Sequence, residues 1–560
     1  MIVDLADDPR GELPAYDLCI VGSGPAGATL ASELAGAGLK VCVLESGRRR
    51  PTRHGDELRR VLSEGIHIKD YSRERVLGGA STTWAGLSSP LDDIDMRPRP
   101  YVRSSGWPIE RSELLGYYEK AARRYRFPPL AFFESDGFGA LRGEGGVEPA
   151  WSEIDEKVFL AASEPQNFGR ELRHVFEGAD VDLFLDATLL RLEGSASRDR
   201  VEAGVVRTSD GRELRVRAGV FVIATGGIEN ARILLNSRDL CAAGLGNEND
   251  QVGRYMMNHP KNYHGLLHLR QPVGDLPYYF GCLHAGYAGY AGLRLSPAVQ
   301  DARRLLNAYV RLEPLFPWSD NAGIEAFVLL VKRARFVLAG WKARQKGKFV
   351  ALRDYSETGD DSDLSNERKS LRDWIGLVFR IVLDAPRVLQ YLYFRVVARR
   401  RPRIRTVRLR NFMEMEPDPE NRVVLGGELD VYGQPLPLVR HACSQRDRES
   451  LIALHAVLAD EVERQQLGRL ATTLEHADPW PITQDASHHM GTTRMGVDPA
   501  SSVVDADLRV HSVENVYVAG ASVFPTSGCA NPTFTIVALS IRLAEHLRER
   551  VFGERTASAS

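Results

Sequence analysis

The chain has 560 residues, 43% of them hydrophobic and 26% charged, which are the proportions of a globular protein too long for a single core. A formal charge of −2 gives no electrostatic reason to expect nucleic acid as a partner. Six scattered cysteines without a CxxC pair argue for a reducing compartment and against a disulfide framework or a metal site. The acidic, polar N-terminus and the lack of any apolar run of about 18 residues argue against export and against a spanning helix, so a cytoplasmic location is expected.

YDLCIVGSG (16–24) is an apolar, β-rich run that ends in glycines. PAGATLASELAGAG (25–38) is alanine-rich and predicts a helix, and LKVCVLESG (39–47) predicts a second strand. Cys19 and Cys42 fall inside these strands as small buried hydrophobes. Strand, glycine turn, helix and strand in that order make a dinucleotide site. Gly22 forms the tight turn, Gly24 lets the backbone approach a pyrophosphate, and Gly27 lets helix and strand pack closely. The N-terminus of the helix offers free N–H groups and the positive end of a dipole to the phosphates. Glu45 closes the second strand, where a carboxylate accepts ribose hydroxyls and repels a 2′-phosphate. FAD and NAD both satisfy the pattern; the bland alternative is a glycine turn without ligand.

VDLFLDATLLRLEG (181–194) and VEAGVVRTSDGRELRVRAG (201–219) alternate apolar and polar residues and predict a β-meander that feeds back into the sheet. LRVRAGVFVIATGGIENARILLNS (214–237) repeats strand, glycine turn and helix, so that Gly226 and Gly227 bring backbone to the same cofactor. In MMNHP, Asn258 and His259 either line a pocket or brace the turn before Pro260. GCLHAGYAGYAGLRLS (281–296) and LLNAYVRLEP (305–314) predict strands but reveal no specificity.

Residues 325–405 depart from this pattern. AFVLLVKRARFVLAGWKARQKGKF is apolar with interspersed bases, SETGDDSDLSNERKS (356–370) reads as a mobile loop, and LRDWIGLVFRIVLDAPRVLQYLYFRVVARRRPRIR is amphipathic, aromatic and basic at its end. Two basic amphipathic helices around a loop suit a membrane surface. The alternative is a helical hairpin packed on the protein itself or used as an oligomer contact.

HHMGTTRMG (488–496) and NVYVAGASVFPTSGCANPTFTIVALSIRLAEHL (515–547) put His488 well before Asn531, with a glycine-rich turn after each. Oxidation of a CH–OH group removes a proton from oxygen and a hydride from carbon, and the proton requires a base within hydrogen-bond reach. Neutral imidazole, with a reference pKa of about 6.5, suits that task. His488 is therefore the candidate base, and Asn531 the candidate donor to the oxygen as negative charge builds there. His489 is the rival base or a structural neighbour. Arg494 either braces its loop, pairs with a carboxylate or touches substrate. Gly520, Ala521 and Ser522 follow the strand NVYVAG and let backbone approach the ribityl or phosphate side of the cofactor.

These motifs, with LGGASTTWAG (77–86), SGWPIERSELLGYYEKA (105–121), VGRYMMNHP (252–260) and PDPENRVVL (417–425) between them, resemble the glucose–methanol–choline oxidoreductases. The sequences STTW and GCANPT look most like the branch of pyranose oxidases and bacterial sugar and glycoside dehydrogenases. The resemblance implies an α/β fold: a Rossmann-like FAD-binding domain of the glutathione-reductase type, interleaved with an α+β substrate domain on a large antiparallel sheet. The expected division is 1–265 for the first part of the FAD domain, with a substrate-domain excursion near 100–170. Residues 266–484 form the substrate domain with its insertion at 325–405, and 485–560 complete the FAD domain.

The resemblance favours FAD over NAD and matches His488 to the family's catalytic histidine and Asn531 to its second active-site position. It places Gly79, Ala80, Ser81, Thr83 and Ala85 beside the flavin, with Pro532 and Thr533 following Asn531. Thr83 stands where pyranose oxidases carry the flavin-linked histidine, which implies non-covalent FAD. Ala85 replaces a threonine near the flavin, which puts fast reaction with oxygen in doubt. The implied substrate is a small-molecule alcohol, with a sugar, glycoside or cyclitol favoured and a lipid-linked or sterol-like alcohol as the alternative. Electrons would pass to an external acceptor: oxygen, a quinone or a carrier protein. Competing classes are a flavin-containing lyase of the same fold, a non-enzymatic flavin scaffold, and a flavin monooxygenase, for which no NAD(P)H site is evident.

Overall fold

The structure, a computed structural model, describes residues 1–141, 149–196, 199–339, 371–398, 402–482 and 487–553. The chain opens with strands β1 (Ile2–Asp4), β2 (Ala15–Val21), β3 (Val41–Leu44) and β4 (Leu62–Glu64). After a helical stretch come β5 (Ile154–Ala162), β6 (Val181–Leu185), β7 (Thr188–Gly194), β8 (Val201–Arg207) and β9 (Glu213–Ile223). The next group is β10 (Lys261–Asn262), β11 (Leu266–Val273), β12 (Cys282–His284), β13 (Tyr287–Leu295) and β14 (Tyr309–Leu315). Beyond a helical insertion lie β15 (Ile404–Phe412), β16 (Arg422–Leu429), β17 (Pro435–Arg440) and β18 (Gly468–Ala471), and β19 (Val516–Val518) comes near the C-terminus.

Two eight-stranded sheets organise these strands. In the first the order is β1-β6-β3-β2-β9-β8-β7, with β19 also on β9. The pairs from β1 through β9 and the β19 pair are parallel, and β9-β8-β7 is antiparallel. The continuous apolar runs of β2 and β3 suit a parallel sheet covered on both faces. Cys19 and Cys42 are fully buried within them, as the sequence reading expects. The second sheet is antiparallel throughout, in the order β12-β13-β14-β15-β11-β18, with β5 on β13 and β10 on β15. Because β5 is donated from residues 154–162, the two sheets are interleaved along the chain. A three-stranded sheet, β16-β17-β4, completes the strand inventory of the described residues.

The meander is shorter than the sequence predicts. Residues 181–194 split at Asp186, whose left-handed φ of 56° turns the chain. The first half becomes β6, a parallel neighbour of β3, and only β7, β8 and β9 form the meander. The polar N-terminus also contributes a strand that composition does not suggest: β1 extends the parallel edge along β6.

The helix Pro25–Leu34 follows β2 and packs against the helix Thr533–His546, which in turn packs on the helix Arg111–Tyr125. This contact carries the C-terminal segment back to the nucleotide turn. In the insertion, the helix Ala322–Ala339 packs on the helices Leu371–Leu383 and Ala385–Leu392. The intervening acidic loop, 356–370, lies outside the described residues. No helix among the described residues is long and apolar enough to cross a membrane.

Candidate active site

One long cleft runs between the ends of the parallel strands and one face of the antiparallel sheet. At its nucleotide end Gly22 has φ 102°, and a Cβ there would lie 2.6 Å from the Ala224 carbonyl oxygen. A Cβ on Gly27 would lie 1.9 Å from the Gly22 carbonyl oxygen. Gly27 is thus fixed by packing behind the turn and is not part of the cleft wall, although the sequence groups it with the cofactor residues. Gly24, Gly226 and Gly520 differ: a Cβ on any of them would point into space with no protein atom closer than 4.0 Å. All three line the cleft, and such bare positions fit the close backbone approach that a dinucleotide would require. Gly227 is bare for another reason, because a Cβ there would strike the His489 carbonyl oxygen at 2.2 Å.

Glu45 lies on the wall with its carboxylate anchored. It accepts from the Ser23 N–H (3.1 Å), the Ser23 hydroxyl (2.6 Å) and the Gly47 N–H (2.8 Å). Burial nevertheless pushes its carboxyl above the usual range, against those three hydrogen bonds. Ser23 Oγ also accepts from the Gly78 N–H at 3.0 Å. This draws the segment Gly79, Ala80, Ser81, Thr83 and Ala85 onto the cleft wall. Ser81 donates to the Gly78 carbonyl at 2.6 Å, and the Thr83 hydroxyl points to the Tyr71 carbonyl at 3.3 Å. Ala521, Pro532 and Thr533 are also on the wall. Asn230, fully buried, joins the two remaining turns. It accepts from the Thr225 N–H and hydroxyl, both at 2.8 Å, and donates to the Ala519 carbonyl (3.0 Å) and Ser522 Oγ (2.8 Å). Sequence reasoning overlooked Asn230, whose signal is its position in the first turn of the GIENAR helix.

His488 and Asn531 meet at the other end: Asn531 Nδ2 lies 3.4 Å from His488 Nε2. The other ring nitrogen of His488, Nδ1, lies 2.9 Å from His259 Nδ1. His259 Nε2 lies 2.8 Å from the Gly528 carbonyl oxygen. A carbonyl only accepts, so His259 carries its proton on Nε2 and presents a lone pair at Nδ1. His488 must then hold its proton on Nδ1, which leaves Nε2 as a basic nitrogen beside Asn531. His259 is fully enclosed, and burial pulls its pKa down to about 4, opposed by its hydrogen bond to Gly528. It is therefore neutral in the folded protein near neutral pH. Asn258 supports the same pair: its Oδ1 accepts from the His259 N–H (2.8 Å) and the His488 N–H (3.4 Å). His489 also reaches the cleft wall, but the contacts to His259 and Asn531 belong to His488. Arg494 pairs with no carboxylate among the described residues; its guanidinium sits 4.4 Å from the centre of the Tyr255 ring.

The loop that presents both Asn531 and the Gly528 carbonyl is braced from behind. A Cβ on Gly528 would lie 2.6 Å from Asp95 Cγ. Thr526 donates to the Asp95 carbonyl at 2.5 Å and accepts from the Trp107 indole N–H at 2.8 Å. Asn307 links Asp95 Oδ1 (2.8 Å) to Glu414, which accepts its N–H at 2.6 Å. Glu414 forms a fully buried bidentate pair with Arg99 at 2.9 and 2.5 Å.

Residues 17–252 match the family model described as FAD dependent oxidoreductase, and residues 417–540 the one described as GMC oxidoreductase. The chain is similar to 6'''-hydroxyparomomycin C oxidase of Streptomyces lividus, with 25% identity over 97% of this chain and 93% of that protein. It is also similar to C-glycoside 3-oxidase of Arthrobacter globiformis, with 35% identity over 24% of this chain and 25% of that protein. Among solved structures, pyridoxine 4-oxidase from Mesorbium loti aligns with a TM-score of 0.49 and 16% identity, over 94% of this chain and 98% of that one. The chain thus resembles the GMC oxidoreductases over 417–540 and the FAD dependent oxidoreductases over 17–252, and it is an FAD-dependent enzyme that oxidises CH–OH groups.

Proposed function

We propose that this enzyme oxidises a secondary hydroxyl of a sugar, glycoside or cyclitol to the ketone, with His488 as base and Asn531 as hydrogen-bond donor. The observation that carries the reading is the ordered chain Gly528–His259–His488–Asn531, which leaves one unprotonated imidazole nitrogen beside one amide N–H at the cleft. The relatives named for oxidising a paromomycin derivative and a C-glycoside support a sugar-type donor. Residues of the glycine turns at 22–24, 226 and 520, with Glu45, would hold FAD. Bound FAD supplies the hydride acceptor for the substrate carbon.

The protein's part is the proton and the charge. His488 Nε2 takes the hydroxyl proton while Asn531 Nδ2 donates to the same oxygen, so negative charge on that atom never stands alone. His488 becomes an imidazolium whose Nδ1–H stays bound to neutral His259. Loss of the proton and of the hydride leaves the carbonyl. Electrons leave the enzyme for an external acceptor: oxygen, a quinone or a carrier protein. The test is anaerobic bleaching of bound flavin by a panel of sugars and glycosides, in wild type, His488→Ala and Asn531→Ala. At least one sugar is expected to bleach the wild type, with losses of about 100-fold or more at His488 and about 10-fold or more at Asn531. Wild-type rates in both variants would refute the roles.

We also propose that the insertion rests on an anionic membrane surface, at the cytoplasmic face. Ile375, Val378, Phe379, Val382, Leu389 and Val396 recur at helical spacing and are each at least half exposed. Exposed Arg380, Arg387 and Arg395 lie on the same helical run. Apolar side chains below and arginines at the headgroups are the arrangement of an interfacial helix.

A further inference from the structure

The run GCLHAGYAGYAGLRLS (281–296) brings an aromatic column to the cleft. Its second half is β13, which lies between β5 and β14. Directly opposed residues share a face of a sheet, as do residues two apart along a strand. Tyr290 of β13 is opposite Phe159 of β5, and in the β14–β15 ladder Tyr309 is opposite Phe412 and Arg311 opposite Arg410. Gly292 lets rings from the two sides of β13 meet: a Cβ there would lie 2.5 Å from Tyr309 Cδ2 and 3.4 Å from Phe159 Cε2. Phe159 stacks on Tyr309 with ring centres 4.5 Å apart, and Tyr309 on Phe412 at 4.6 Å and 3°. Cys529, two positions before Asn531, packs in the same cluster, so the column adjoins the catalytic loop.

Tyr290 and Tyr309 line the cleft, yet they are only 1% and 2% exposed. Their ring faces are taken. Tyr309 is flanked by Phe159 and Phe412, and Tyr290 by Phe159 at 5.3 Å and by the Arg311 guanidinium at 4.2 Å from its centre. What these rings offer the cleft is their edges and hydroxyls. The two phenol oxygens lie 3.4 Å apart, long for an O–H···O hydrogen bond, whose usual length is about 2.7–2.8 Å. Burial pushes both phenols above their ordinary value, so each keeps its proton. Their mutual contact uses one of the two protons, and neither hydroxyl has another hydrogen-bond partner among the described residues. Buried polar groups are as a rule satisfied, and the cleft is the side from which a partner reaches this pair.

We propose that the Tyr290 and Tyr309 hydroxyls form a specificity subsite for a neutral hydroxyl of the substrate, other than the one His488 deprotonates. The inference rests on the sugar-oxidising reading above and narrows it to polyols held by a second, uncharged hydroxyl. The phenol pair offers both a donor and an acceptor, and so does a sugar hydroxyl, which bridges the two; a carboxylate only accepts and an ammonium only donates. Stacking fixes both rings before substrate arrives, so little ordering is needed on binding. A site built to hydrogen-bond a substrate hydroxyl rejects the analogue that lacks it.

The test uses the FAD-loaded enzyme with D-glucose, D-galactose and methyl β-D-glucoside, each beside its deoxy analogues. Two quantities are read for each: the bimolecular rate constant of anaerobic flavin bleaching, and equilibrium binding through perturbation of the flavin spectrum. The deoxy analogue at the oxidised position does not bleach. At one other position, loss of the hydroxyl should cost the wild type about 10- to 100-fold, the size of one buried hydrogen bond left unmade. In Tyr290→Phe and Tyr309→Phe the parent sugar should fall toward its deoxy analogue, and the parent-to-deoxy ratio at that position alone should shrink to about threefold or less. Ratios at the other positions should stay as in the wild type. Either variant supplies this readout, so one that folds suffices, and a merely structural role would slow parent and analogue alike. Bleaching with no second hydroxyl required, or an unchanged ratio in the variants, overturns the subsite alone. Binding that shows the same discrimination and its loss in the variants, without bleaching by any compound, upholds the subsite and overturns the alcohol-oxidising reading. Neither binding nor bleaching overturns both.

Discussion

His259 does more at the residue level than its motif suggests. Its Nε2–H is committed to the Gly528 carbonyl at 2.8 Å, so its Nδ1 fixes the proton of His488 at 2.9 Å. His259→Leu removes the acceptor and frees the wrong tautomer of His488. Flavin reduction is expected to slow about 10- to 100-fold, the cost of one buried hydrogen bond at a charged centre. His259→Asn keeps an acceptor near Nδ1 and is expected to recover part of that loss; equal losses in both variants would reduce His259 to a packing role. A pH effect accompanies it. The folded pKa, about 4, is below the unfolded value. Between those values the unfolded chain binds more protons, so stability is fully present above about 6.5 and is lost as pH falls toward 4. The acid slope of Tm should flatten in His259→Leu. The role of Gly27 was legible in sequence because it answers to the Gly22 carbonyl within one strand–turn–helix unit, whereas the contact that keeps Gly22 bare comes from Ala224, in the turn after β9. The His259–His488 pair was not, because it joins segments brought together only by the tertiary fold.

Elements behind the site set its precision. The loop from Thr526 to Asn531 carries both the Gly528 carbonyl and Asn531. It leans on Asp95 and Trp107, and through Asn307 on the buried Arg99–Glu414 pair. Removing one partner of such a pair strands a buried charge and costs about 3–5 kcal/mol. Arg99→Leu is therefore expected to lower Tm strongly by calorimetry, whereas Arg99→Leu combined with Glu414→Leu should recover much of the loss. A double variant as unstable as the sum of two singles would contradict a paired role. Sequence alternation revealed β13 and β14 as strands, but not which residues share a face across them. The Arg311–Arg410 opposition appears only when the register of β14 with β15 is known. The split of 181–194 was hidden for a similar reason: one left-handed residue, Asp186, ends a run whose pattern continues unbroken.

At the scale of the whole molecule, two interleaved sheets and one helical insertion divide the labour. In the proposed reading the parallel sheet supplies the dinucleotide cradle and the antiparallel sheet the substrate wall, while the insertion presents an apolar exterior stripe. The stripe gives a direct expectation: sedimentation with anionic vesicles should be lost in Val378→Asp/Phe379→Asp/Val382→Asp, at positions already exposed to solvent. An intact protein that ignores such vesicles would remove the membrane reading without touching the catalytic one. The insertion was visible in sequence as a change of composition, while its packing into a hairpin depended on contacts between distant helices. The catalytic proposal itself turns on Nε2 of His488 as the basic nitrogen, and chemical rescue tests that nitrogen most directly. In anaerobic stopped flow with a bleaching sugar, His488→Ala should reduce its flavin about 100- to 10,000-fold more slowly than wild type. Added imidazole should restore part of the rate, and more so as pH rises and imidazole becomes neutral. Reduction of His488→Ala at the wild-type rate without imidazole would contradict the assignment of the base.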